Sequence, residues 1–68
     1  MTENSTLIRL PQVLRQTGLN RTRLYALQRC GRFPRGVKIS QRAVAWPAAD
    51  VQAWIAAKIA ERDEGRAA

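Results

Sequence analysis

Residues 17–33 read TGLNRTRLYALQRCGRF, and the placing of the apolar and charged positions in this stretch decides the fold. Asn20 is a good N-cap, because its short side chain can accept a hydrogen bond from an amide of the first helical turn. Gly31 can end the same helix in the left-handed conformation. At about 100° per residue, Leu24 and Leu27 define one side of that helix, with Gln28 and the Asn20 cap beside them. The opposite side carries Thr22, Tyr25, Ala26 and Arg29, and Arg21 and Arg23 flank the first turn. A narrow apolar side should therefore pack inward, and the outer side offers hydroxyls, a phenol, a methyl and guanidinium groups.

Toward the N-terminus, Leu10, Val13, Leu14 and Thr17 follow the i, i+3, i+4, i+7 spacing of a short helix. Pro11 suits its first position, where the missing N–H costs nothing, and Gly18 is placed to end it. Two helices of about seven and ten residues, joined only by Gly18-Leu19-Asn20, cannot lie as a long antiparallel pair; the join is a helix-turn-helix connection. Leu7 to Leu10 reads as a short extended or entry segment.

Toward the C-terminus the period changes. Phe33-Pro34 is an apolar anchor before a stiff bend. Val37-Lys38-Ile39 and Ala43-Val44-Ala45-Trp46 alternate as two strands, with Val37, Ile39, Val44 and Trp46 expected inward. Ser40-Gln41-Arg42 is the hairpin tip. A lone hairpin is barely stable, so this one must lean on the helices and project as a wing, with Arg42 at its end and Lys38 on its open side. Pro47 then opens a last helix, with Asp50 favourable in its first turn and Val51, Trp54, Ile55 and Ile59 as its apolar stripe. Trp46 and Trp54 are expected in the core, and the run after Ile59 reads as a fraying, solvated end. The expected architecture is α+β, mainly α: a small winged helix-turn-helix of two short helices, a β-hairpin wing and a C-terminal helix. Residues 1–6 are expected to be a flexible N-terminus, residues 7–62 the folded domain and residues 63–68 a flexible C-terminus.

Size and composition bound what such a domain can do. A chain of 68 residues buries only about 60% of the surface it exposes when unfolded, so its stability is modest. One cysteine and no histidine exclude an internal disulfide and a structural zinc site. No cofactor is expected, and no enzyme, because catalysis needs positioned acids, bases, nucleophiles or metals. No secretory leader and no apolar run of membrane-spanning length are apparent. A cytoplasmic protein is therefore expected, without a membrane partner and nucleoid-associated when bound.

Charge points to the partner. From Asn4 to Ala49 there are nine basic residues and no acid, whereas the remainder carries three basic residues against five acidic ones. An excess this lopsided marks a polyanion partner; solubility alone would be served by interspersed signs. The outer groups of the second helix are those that read base edges and phosphates in a DNA major groove. Recognition helices usually meet bases with their N-terminal half, where Arg21, Thr22 and Tyr25 stand. The sequence thus assigns Arg21, Thr22, Arg23, Tyr25 and Arg29 to a DNA-reading helix. Arg32, Arg35, Lys38, Gln41 and Arg42 are assigned to wing and backbone contacts, with Arg42 a candidate for the minor groove. Cys30 is read as a small packing residue.

The run RLPQVLRQTGLNRTRLYALQRCGRFPRGVKI, followed by AVAWPAADVQAWI, resembles the AlpA family of prophage regulatory proteins over roughly residues 8–59. That family belongs to the larger MerR-like winged helix-turn-helix group, which includes phage excisionases. The specific parts are TGLNRTRLY, GRFPRGVKI and the tryptophan ahead of DVQAWI. The resemblance implies a mobile-element or prophage protein that binds double-stranded DNA, to regulate transcription or to direct recombination toward excision as a recombination directionality factor. Arg21, Thr22, Arg23 and Tyr25 would then belong to its recognition helix and Arg42 to its wing. Two positions depart from the pattern: Ser40-Gln41 stands where many members have glycine in the wing tip, and Gly36 stands where members often carry a second proline.

A module of this size buries about 600–1,000 Å² on DNA and reads few base pairs. Copies are therefore expected to bind adjacent repeats cooperatively, to self-associate weakly there and to bend the DNA. An integrase or RNA polymerase would be a further protein partner. The rival readings are an RNA-binding module, without the GxxG loop or aromatic RNP-like strand that would mark one, and a protein-interaction adaptor.

Overall fold

The computed structural model describes residues 6–67; the expectation of a flexible N-terminus falls, apart from Thr6, outside the described residues. The chain runs β1 (Leu7–Arg9), α1 (Leu10–Thr17), α2 (Arg21–Arg29), β2 (Val37–Ser40), β3 (Ala43–Pro47) and α3 (Ala48–Ala67). This is the expected mainly helical α+β order, a helix-turn-helix followed by a hairpin and a last helix.

Local chemistry sets the helix ends. Pro11 stands in the first turn of α1, and Gly18 ends it at φ 77° with its N–H donating to the Leu14 carbonyl. The Thr17 hydroxyl bonds back to the Val13 carbonyl at 2.8 Å and accepts from the Leu19 N–H at 3.3 Å, which ties the turn to the helix it leaves. Asn20 caps α2, its Oδ1 accepting from the Arg23 N–H at 2.7 Å. At the other end Gly31 takes φ 75°. Its N–H reaches the Gln28 carbonyl and the Arg32 N–H reaches the Leu27 carbonyl at 2.8 Å, the paired bonds of a Schellman motif.

The entry segment is a true strand, and this adds a third strand to the expected hairpin. The sheet has the order β1-β3-β2, antiparallel throughout, with Ile8 opposite Trp46 and Val37 opposite Ala45. The Ala48 N–H donates to the Thr6 carbonyl at 2.8 Å, so the start of the fold is fastened to the start of α3. The core gathers Ile8, Val13, Leu24, Phe33, Trp46 and Val51, with Leu14, Leu27, Trp54 and Ile55 packed half-buried around it. One large residue from nearly every element suffices because Trp46 fills the centre.

Inward alternation fails along the hairpin. Val37, Ile39 and Val44, expected inward, are exposed at 43%, 47% and 38%, whereas Ala45, expected outward, is 1% exposed. β2 is an edge strand of the three-stranded sheet, and all four of its residues are exposed. Ala45 belongs to the middle strand, and its methyl is flanked by Arg9 on β1 and Val37 on β2, which stand opposite it. The register also slips between Lys38 and Ser40. Neither Gln41 nor Arg42 takes a positive φ, so this turn lacks the left-handed residues favoured in two-residue hairpins. The bulge takes up the resulting mismatch in twist, which is how the chain makes its tip without glycine.

Gly36 has a local reason. A Cβ there would run into the Val44 side chain and approach the Trp46 ring at 3.1 Å. Its bare backbone lets the loop lie directly over the hairpin.

α3 continues past Ile59, the last residue of its apolar stripe, and stays helical through the stretch read as a fraying end. From Ala56 to Gly65 its residues are exposed, as a solvated segment requires. The Lys58–Glu61 and Arg62–Asp63 pairs, at 3.4 and 2.9 Å, lie on this outer part.

Candidate nucleic-acid interface

The loop after α2 orients the hairpin, and two indoles hold it. Trp46 Nε1 donates to the Pro34 carbonyl at 3.0 Å and Trp54 Nε1 to the Arg32 carbonyl at 2.8 Å. Between those carbonyls Phe33 is buried, its ring edge-on to Trp54 with centroids 5.1 Å apart. The hairpin therefore cannot swing freely against the helices, and α2 and the wing are presented in fixed relation.

That relation makes a groove. Arg21 and Tyr25 of α2, Arg42 of the hairpin turn and Arg9 at the β1–α1 junction line it, over a floor that includes Val44 and Trp46. Two helix residues and the wing arginine singled out in the sequence are thus brought together. Arg9, which the sequence does not assign to the interface, also lines the groove. Nothing in its local sequence separates it from the other arginines; only the pairing of β1 with β3 brings it here.

The other assigned residues lie outside this groove. Thr22, Arg23 and Arg29 are exposed on α2, Arg32 and Arg35 are exposed in the loop, and Lys38 and Gln41 are exposed on the hairpin. Tyr25 differs from the outward position expected for it. It is half-buried, packs against the core and lines the groove together with Val44 and Trp46 of β3. Leu24 is completely buried, as its place on the inner side requires.

Among the described residues, no acid lines this groove. Among the described residues the ion pairs are Lys58–Glu61 and Arg62–Asp63, both on α3, so none engages an arginine of α2, the loop or the hairpin. Three arginines line one groove with no described carboxylate beside them, an arrangement of like charge that favours an anion. A second groove, between α1 and α3, has a different character: Trp54, Ile55 and Ile59 line it, with Lys58 and Gln16 at its sides. Cys30 caps α2 and is exposed, so it is not the packing residue expected.

The profile of the prophage CP4-57 regulatory protein (AlpA) family matches residues 6–59 of this chain, from the residue before β1 to well into α3. The chain belongs to this family. The AlpA match covers α1, α2, the loop and the whole hairpin, and so every residue of the groove. The chain is also 41% identical over 58 residues to an uncharacterised protein, ORF88, of Enterobacteria phage P4, a match covering 85% of this chain. The chain spans 66% of the length of that phage relative. Membership makes this a prophage regulatory protein by family, and the AlpA family is not one of enzymes. Among the described residues, no helix is long and apolar enough to cross a membrane.

Proposed function

We propose that this protein binds double-stranded DNA of a mobile element or prophage through α2 and the hairpin, as an excision factor, a transcriptional regulator or both. The observation that carries the reading is the groove itself: Arg21 and Tyr25 from the helix and Arg42 from the wing line one surface that no described acid neutralises. A helix of 9 residues with an exposed basic outer side fits the major groove. The hairpin, held by the two tryptophans, then follows the flanking backbone or minor groove. Membership in a prophage regulatory family supports the same reading.

One domain of this size reads too few base pairs to select a single genomic site. Copies bind adjacent repeats, assist one another through weak contacts between their wings or ends, and bend the DNA. An integrase or RNA polymerase then acts on the assembled complex.

The test is a band-shift of the protein on its own upstream DNA and on the flanking attachment region, titrated with salt and random competitor. Stepwise bands that survive competitor are expected, with a log–log salt slope of about −4 to −6, corresponding to about five or six phosphate contacts. A smear that competitor erases would overturn the reading and move RNA binding or a protein adaptor role ahead of it.

A further inference from the structure

We infer that the groove between α2 and the hairpin is a three-point site for one backbone phosphate, formed by Arg9, Arg21 and Arg42. The inference rests on the DNA-binding reading above and assigns a particular task to part of that surface.

These arginines come from three separate elements: the end of β1, the first turn of α2 and the β2–β3 turn. They are 12 and 21 residues apart in the chain, yet they line one groove together with Tyr25, Val44 and Trp46. The convergence is built into the fold. Arg9 is placed by pairing of β1 with β3 opposite Ala45, Arg21 by the Asn20 cap, and Arg42 by the bulged turn. All three are exposed at the side chain level needed to meet a ligand, and no described carboxylate pairs with any of them.

The chemistry favours a phosphate. Guanidinium forks match phosphate oxygens geometrically and stay charged at every working pH. A floor containing Val44 and Trp46 offers no acceptor side chain to compete. Because the three arginines line one groove, we assign their charges to a single anion. Successive phosphates of one strand, about 3.4 Å apart along the axis, would instead call for arginines strung along a surface. In this arrangement Arg21 is directed to the backbone, and base edges fall to Thr22 and Arg23. The site would fix the register of α2 in the DNA groove, as phosphate contacts do generally.

The test measures fluorescence anisotropy of the full chain on a labelled duplex from its upstream region and on a scrambled duplex, over a salt series. The variants are R9A, R21A, R42A and the triple combination, with K58A on α3 as a control and thermal melts to confirm folding. Each single variant should weaken binding to both duplexes by the same factor. The triple variant should lower the salt slope by about 0.9, the share of one phosphate.

A fall of about 1.8 or more would mean separate phosphates and overturn the single-anion site. Loss confined to the upstream duplex would make these arginines base readers, and unchanged binding by any single variant would remove that arginine and the three-point site with it. If the unaltered protein binds neither duplex, the DNA-binding reading itself fails, which the variants' behaviour cannot mimic.

Discussion

The Trp46 indole Nε1 donates to the carbonyl oxygen of Pro34 at 3.0 Å, joining the centre of the core to the loop that aims the hairpin. Trp46 is fully buried, so this bond links packing directly to the relation between α2 and the wing. Trp46→Phe keeps an aromatic ring but removes the donor and leaves Pro34 without its partner. The unmet carbonyl alone should cost about 1–3 kcal/mol, and the smaller ring adds to it. A thermal melt would show a lowered midpoint, and an unchanged melt would mean that the bond contributes nothing.

Gly36 is predicted to be restricted by packing. Gly36→Ala would push a methyl into Val44, and overpacking of this kind costs about 1–3 kcal/mol. Val44 is 38% exposed, so Val44→Ala should be mild alone and should relieve the clash in the double variant. Denaturant melts of the four proteins form a double-mutant cycle, and strict additivity would contradict the contact.

Gln28 offers a route to a more stable protein. Its Oε1 is buried with no hydrogen-bond partner among the described residues. Gln28→Met keeps the length and removes the stranded acceptor, whose desolvation costs about 1–3 kcal/mol. The variant should melt higher. A lower melting temperature would show that the amide is satisfied in solution, by water or by turning over.

Arg23 separates reading from gripping. Its side chain is exposed on the first turn of α2 and lies outside the arginine groove. Arg23→Ala should leave melting unchanged and weaken binding to the specific duplex by about 1–3 kcal/mol, with a smaller effect on scrambled DNA. Equal loss on both would make it a phosphate contact.

What could be read from the sequence was what neighbours in the chain decide. Pro11, Gly18, Asn20 and Gly31 each act within a turn of themselves, and each stands where its chemistry placed it. Leu24 and Val51 followed helical periodicity into the core. The exceptions need partners distant in sequence. Three residues of β1 carry too little pattern to announce a strand, and Ile8 pairs with Trp46, which lies beyond both helices and the first hairpin strand in the chain. Val37, Ile39 and Val44 alternate as a buried face would, but alternation cannot say whether a helix lies over it. The same limit hid Arg9, which reaches the candidate site only through the strand pairing that was not foreseen. The angle of Tyr25 on α2 points it outward, yet packing against the core leaves it half-buried at the groove.

If α2 and the hairpin together form the DNA-binding face, a bound duplex must perturb them and spare the outer part of α3. Amide chemical-shift mapping by NMR, with unlabelled duplex from the upstream region added to the isotope-labelled protein, tests it most directly. The largest changes should fall at Arg9, Arg21 to Tyr25 and Gln41 to Val44, with Lys58 to Arg62 of α3 nearly unmoved. Changes centred on the α1–α3 groove around Trp54 and Ile59, with α2 and the hairpin silent, would contradict it.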